Sequence, residues 1–245
     1  MKRLSILVTL LLALLSQHAN AQDDKYLFNH LGAGVSLGLE GLGFELAVPA
    51  TNWAAVRLGM SFLPQATYSQ KVDVDFGNNT TSNTEVEIEG KLKKTDFKIL
   101  FDFYPIPRHS FRLTAGAYIG SKDLVTVNNK EPLPPLAMGI LLGDYEVRSD
   151  MSGKVNADIK VNSFKPYLGV GFGRAVPSKY RLSFNFDAGV QFWGTPGVWT
   201  TTRNSTYQKL EKDNIDNDDS DKFFDVLSKM TVYPVISLRL NGRIF

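Results

Sequence analysis

Eight stretches of this chain alternate apolar residues on one parity with small or charged residues on the other. Side chains of a β-strand point to opposite faces in turn, so a repeat of two over about ten residues, recurring this often, predicts antiparallel strands and not helices. The first run is 31–39, with Gly32, Gly34, Ser36, Gly38 and Glu40 on the other parity. A tight turn at Gly41 leads into 42–48, interleaved with Gly43, Glu45 and Ala47. The third, 54–62, carries Ala55, Arg57, Gly59 and Ser61 on the second parity; the fourth, 97–103, carries Lys98 and Asp102 there, with Leu100 as the apolar exception. Four more complete the set: 111–119 with Arg112, Thr114, Gly116 and Tyr118; 164–172 with Lys165, Tyr167, Gly169 and Gly171; 180–192 with Arg181, Ser183, Asn185, Asp187 and Gly189; and 236–240 with Ser237 and Arg239.

Ahead of the runs, Lys2 and Arg3 precede an apolar stretch from Leu4 to Leu15 and then Ala19-Asn20-Ala21. A basic start, a short apolar segment and a small-x-small site make residues 1–21 an expected secretory signal peptide. The apolar stretch is well short of the ~20 residues a spanning helix needs. Cleavage after Ala21 leaves residues 22–245 as the mature barrel. Of 27 basic residues, 25 then remain after Lys2 and Arg3 are lost, against 25 acidic ones. A neutral exported chain gives no electrostatic reason to expect nucleic acid as a partner. The chain has no Cys, which excludes disulfides, thiolate catalysis, thiolate metal sites and a lipidated Cys anchor.

Short Pro-containing turns at 105–109 and 174–179 alternate with long segments at 63–96, 120–163 and 194–231. Short periplasmic turns and long outer loops characterise outer-membrane barrels. The expected fold is therefore all-β: an eight-stranded antiparallel transmembrane β-barrel with long extracellular loops, both termini in the periplasm, located in the bacterial outer membrane. Alternation alone does not say which face points inward, and the rival is a secreted lipocalin-like ligand-binding barrel, apolar inside and polar outside. Two features favour lipid on the outside. The strand glycines lie on the polar parity, where they relieve crowding in a narrow lumen. The apolar parity carries many Phe residues, too bulky to fill a small interior together.

The segments FDFYPIP (Phe101 to Pro107), FRLTAGAYIG (Phe111 to Gly120), FKPYLGVGFG (Phe164 to Gly173) and YPVISLRL (Tyr233 to Leu240) resemble, in order and spacing, a family of small bacterial outer-membrane barrels. More loosely, the chain resembles the eight-stranded group containing outer-membrane proteins A and W. The resemblance is best over the second half of the chain. It implies fold and location, with outer-membrane lipid and the barrel-insertion machinery as partners, but no particular biochemical activity. Barrels of this kind end on an aromatic residue that shares the apolar parity. Here Phe245 shares its parity with Arg243 and Asn241, one residue out of step.

The inward parity collects Glu45, Arg57, Asp102, Arg112, Arg181, Asp187 and Arg239. Eight strands enclose a bore just wide enough for side chains to fill. Charges of both signs in that space must pair or suffer heavy desolvation, so a lumen charge network that plugs the bore is expected. The alternative is an anion-attracting conduit for small solutes or hydrophobic compounds. Enzymes on small outer-membrane barrels, such as a lipid A deacylase or an outer-membrane protease, use a His beside Ser or acidic partners at the outer rim. The mature chain has only His30, at the start of the first run, and His109, in a periplasmic turn. Both lie at the wrong end for surface chemistry, and the expectation is a non-enzymatic protein without catalytic residues or cofactor.

The glycine-rich GVGFG (Gly169 to Gly173) and GAGVSLG (Gly32 to Gly38) precede no helix of a βαβ unit and read as strand glycines. The acidic stretch from Asp213 to Asp221 lacks the central Gly and final Glu of a calcium loop, so no metal site is expected. The residues after it are expected to form a short helix presenting Phe223, Leu227 and Met230 on one face. The most unusual segment is PLPPLAMGILL (Pro132 to Leu142), too apolar to stand in water. Folding over the barrel mouth is the favoured expectation, ahead of lying on the membrane or contacting another molecule. The expected role is a porin-like, monomeric protein of the cell envelope, structural or surface-interacting, with an extracellular partner engaged through the long segments.

Overall fold

The computed structural model describes residues 30–75, 81–106, 109–134, 139–142, 145–177, 181–201, 207–209 and 230–244. The expected signal peptide, the 213–221 stretch, Phe223, Leu227 and Phe245 lie outside them. Fourteen strands in one antiparallel sheet make up the described chain. Eight of them match the eight alternating runs: β1 (Gly32–Gly38), β2 (Gly41–Pro49), β3 (Ala54–Asp75), β4 (Thr81–Phe103), β5 (Phe111–Gly120), β10 (Phe164–Phe172), β11 (Leu182–Phe192) and β14 (Val232–Arg243). The other six are β6 (Asp123–Asn129), β7 (Gly139–Leu142), β8 (Tyr145–Arg148), β9 (Asn156–Lys160), β12 (Gly197–Thr201) and β13 (Tyr207–Lys209).

The eight matching strands close into a ring. Sequence neighbours pair around it, β14 returns to β1 with Gly32 opposite Arg243, and β3 pairs with β4 from Ala54 opposite Phe103 onwards. A sheet closed on itself is a barrel. Residues 30, 31 and 244, the turn at 50–53 and the described residues between β4 and β5 and between β10 and β11 gather at one end, the lower one. The tight β1–β2 turn at Gly41 lies at the other, with φ of 88°, and a Cβ there would run into the backbone of Phe62 and Leu63.

Around the ring the apolar parity faces out. Leu37, Phe44, Phe97, Phe164, Phe184 and Leu238 are among its exposed residues, and Phe184 is 83% exposed. The polar parity faces in and is buried: Arg57 is 2% and Arg112 0% exposed. This is the reverse of the lipocalin-like arrangement.

The upper half departs from the expected loops. Segment 63–96 is largely strand, because β3 and β4 run on past the ring as one long hairpin of 22 and 23 residues. Onto this hairpin the other long segments add strands, β6, β9, β12 and β13 beside β4, and β7 and β8 beside β3. β8 and β12 approach each other, so the additions wrap into an upper storey over the ring. Its interior is apolar: Val86, Ile88, Val127, Leu133, Ile140, Val147, Val155 and Ala157 form one buried cluster. Leu133 and Ile140 belong to the unusual apolar segment and are covered within the molecule; residues 135–138 lie outside the described ones.

One strand records how the two storeys differ. Along β4 from Val86 onwards the even-numbered side chains point inward. Below, they are Lys94, Asp96, Lys98 and Asp102; above, they are Val86, Ile88 and the partly buried Leu92. The outward side chains change in the opposite sense, from Phe97, Ile99, Phe101 and Phe103 to Glu85, Glu87 and Lys93. Face polarity inverts at Leu92–Lys94, opposite a register shift in β3 between Leu63 and Ala66.

Candidate functional site

The lumen of the ring is the most strongly built polar feature. Strand alternation delivers one inward residue at every second position, so charges from six strands meet at one level. At the lower level Arg57 reaches three carboxylates. Its Nη1 donates to Glu45 Oε2 at 3.0 Å, its Nε lies 2.8 Å from Asp102 Oδ2, and its Nη2 donates to Asp187 Oδ1 at 3.3 Å. Arg112 Nη2 donates to Asp187 Oδ1 at 2.6 Å, and its Nη1 donates to the Gly173 carbonyl. Arg239 Nη1 donates to Glu45 Oε2, and Thr114 Oγ1 donates to Asp102 Oδ1 at 2.7 Å.

Six of the seven charges expected in the lumen, Glu45, Arg57, Asp102, Arg112, Asp187 and Arg239, therefore meet in one network. Arg181 does not. It is exposed and precedes the first residue of β11, so its inward parity has no enclosed bore to point into.

A second charged level stands above the first, and sequence reasoning does not single it out as a site. Lys98 Nζ contacts Glu40 Oε1 at 2.8 Å and Glu45 Oε1 at 2.7 Å, which links the levels. Lys165 Nζ donates to Asp96 Oδ1 at 2.7 Å, and Lys94 Nζ lies 3.3 Å from Asp96 Oδ2. Lys94 also donates to Gln191 Oε1 at 3.0 Å and sits 4.5 Å from the Tyr233 ring centroid. Tyr118 and Tyr167, with Leu100 and Val235, fill the space between the levels.

Missing side chains make this filling possible. A Cβ on Gly169 or Gly189 would collide with the Tyr167 hydroxyl, and one on Gly171 with the Arg112 guanidinium. Glycine thus sits where a neighbour's large side chain crosses the bore.

Below the network, Ala175 and Val176 from the first part of the β10–β11 connection are buried against Ala47, Ala55 and Tyr104. The Ala175 amide donates to Tyr104 Oη at 2.8 Å, Asn185 Nδ2 donates to the Arg174 carbonyl at 2.9 Å, and Asn241 Nδ2 donates to the Ala175 carbonyl at 3.0 Å. At the top, Leu124, Val161 and Trp193 form a buried apolar cluster, with Trp193 stacked on Tyr233 at 4.4 Å. The interior is occupied at three levels: turn, charge network and apolar cap.

His30 and His109 are both exposed, near the lower end of the ring. Among the described residues no group of three or more His, Cys, Asp or Glu is placed to hold a metal ion. On the outside of the upper storey, Lys122, Lys160 and Lys209 line a recess of about 500 Å³ together with Trp199 and Tyr207. There the Tyr207 hydroxyl beside Lys160, helped by the Asp123 carboxylate, pushes the Lys160 ammonium up to about 12, against partial desolvation.

No family model and no curated protein matches the chain. Solved structures similar to it include the following three. The crystal structure of CarO2 from Acinetobacter baumannii shares 15% identity at a TM-score of 0.49, covering 87% of this chain and 98% of that one. CarO from the same organism shares 15% at a TM-score of 0.45, covering 86% and 96%. A major outer membrane protein from Thermus thermophilus shares 16% at a TM-score of 0.38, covering 88% and 98%. The likeness to outer-membrane proteins A and W remains one of sequence motifs.

Proposed function

We propose that this protein is a non-enzymatic outer-membrane β-barrel whose ring spans the bilayer as a sealed plug and whose upper storey stands outside the cell as a structural or surface-interacting platform. The observation that carries the reading is the exposed apolar girdle around a closed ring with a buried, charged interior. An apolar surface on all eight strands far exceeds the patches a soluble monomer leaves in water. A closed ring satisfies its own backbone hydrogen bonds, which a bilayer requires.

Strand lengths support the same reading. β2, β5, β10 and β11 have 9, 10, 9 and 11 residues, against the ~9–11 a tilted spanning strand needs. β3 and β4 are twice that, and the inversion of face polarity at Leu92–Lys94 falls where they would leave lipid and enter water. The three-level filling of the bore favours a plug over a conduit. The exposed upper storey favours contact with an extracellular partner, since function on such scaffolds resides in what the barrel presents.

Cell fractionation with a heat-modifiability gel tests location and fold together. The expected result is a membrane-bound protein that migrates faster unboiled than boiled; a soluble periplasmic monomer would overturn the reading. Mass spectrometry of lipid A from deletion and overexpression strains tests the non-enzymatic part, with unchanged acyl chain number as the expected outcome.

A further inference from the structure

The recess on the upper storey lies where three ring strands end. Ile119 on β5, Phe164 on β10 and Phe192 on β11 are the last exposed apolar residues of the girdle on this side. Within three residues of them the chain carries Lys122, Asn162 with Ser163, and Thr195, all of which line the recess. Apart from Val161, the remaining lining comes from the outward face of the small sheet β9, β12 and β13, where Lys160 pairs across from Gly197 and Trp199 across from Lys209. Trp199 and Tyr207 stack at 5.6 Å and 15°, and Lys160 Nζ lies 4.7 Å from the Tyr207 centroid.

Two carboxylates border the lysines. Asp123 Oδ1 lies 3.0 Å from Lys160 Nζ, and Asp158 Oδ2 accepts from the Tyr207 hydroxyl at 2.7 Å. Three lysines against two carboxylates leave one net positive charge. Gly197 lies on the floor of the cradle, where a Cβ would stand 3.0 Å from Lys209 Cε and 3.5 Å from Trp199 Nε1, so a branched side chain there would occupy the space between them. Aromatic faces, ammonium groups and flanking amide and hydroxyl groups form a set suited to a sugar ring bearing an anionic group. The aromatics cover the apolar ring face, the lysines meet the anion, and the carboxylates accept sugar hydroxyls.

We propose that this recess binds the phosphorylated saccharide headgroup of a membrane lipid. The lipid source rests on the membrane reading above, because the recess sits at the edge of the girdle, the level at which headgroups lie and where basic residues and amphipathic aromatics are favoured. The saccharide chemistry rests on the recess alone.

Full-length folded protein in micelles, titrated by calorimetry, separates the two. The probes are a deacylated phosphorylated oligosaccharide from lipopolysaccharide and the same saccharide after dephosphorylation. In parallel, nanodiscs containing lipopolysaccharide report lipid-borne binding by native mass spectrometry. The phosphorylated probe is expected to bind more tightly than the dephosphorylated one. Lys122→Gln and Lys209→Gln are each expected to weaken it by about fivefold, and Gly197→Val to abolish it with heat-modifiable migration unchanged. Tryptophan emission should respond to the probe, and Trp199→Phe should remove the response. Lipid-borne binding with the same lysine dependence supports the headgroup as the source. Binding of the soluble probe by a protein that fails to enter membranes would sink the membrane reading and the lipid source while sustaining the recess. Equal affinity for the two saccharides, or affinity indifferent to both lysines, would overturn the proposal.

Discussion

Asp187 shows how much a single inward residue carries. It faces Arg57 at 3.3 Å, Arg112 at 2.6 Å and Arg239 at 3.8 Å, inside a lumen where all three guanidinium groups are buried. Removing one member of a buried charge set leaves its partners uncompensated, so Asp187→Ala is expected to cost about 3–5 kcal/mol. Arg181→Ala, at an exposed position, should stay within about 0.5 kcal/mol. Urea unfolding followed by tryptophan fluorescence measures both, and equal effects would contradict the placement of Arg181 outside the network. Parity identifies six of the charges because a strand leaves only two directions to point. It fails for Arg181 because parity does not say where the enclosing wall stops. Glu40 shares the inward parity of the first run although it borders the tight turn at Gly41, and it is buried where Lys98 reaches it from β4. Lys94 and Asp96 escape a parity reading that starts the fourth strand at Phe97.

At the scale of elements, the eight ring strands are legible because each has apolar residues on one face and small or charged residues on the other. The upper strands are not, because their polarity runs the other way. In Glu85 to Lys93 the alternation is present, but the charged residues face out and the apolar ones in, as in a soluble barrel. A single rule for which face is apolar loses the strand at Lys94. The separation of storeys can be tested in the upper core, where Ile140→Asp places a charge at a fully buried position. It should open the upper storey to limited proteolysis while the eight ring strands stay protected, and loss of the whole protein to protease would contradict two separable storeys. Tyr104→Phe removes the acceptor for the buried Ala175 amide. Leaving that donor unmet should cost about 1–3 kcal/mol in the same unfolding assay; no effect would mean that the lower turn is not held by this bond.

At the scale of the whole molecule, one hairpin, β3 with β4, joins a closed ring to an upper storey, and the two interiors are filled oppositely, charge below and hydrocarbon above. On the proposed reading, this is what lipid outside and water outside respectively demand of a two-faced sheet. In the proposed plug the layers are joined: Arg112 donates to the Gly173 carbonyl of the lower turn, and Lys94 and Trp193 share Gln191 Oε1 at the top. Removing the single Tyr104 hydroxyl leaves the Arg57-centred network and the Trp193 cluster in place. The central claim, a membrane-spanning ring with no continuous water path, is tested most directly by planar-bilayer recording of the folded protein, with insertion confirmed by protease protection of the ring strands. The account predicts no steady single-channel conductance for the wild type or for Tyr104→Phe. Reproducible conductance steps from inserted wild-type protein, lost on denaturation, would contradict it.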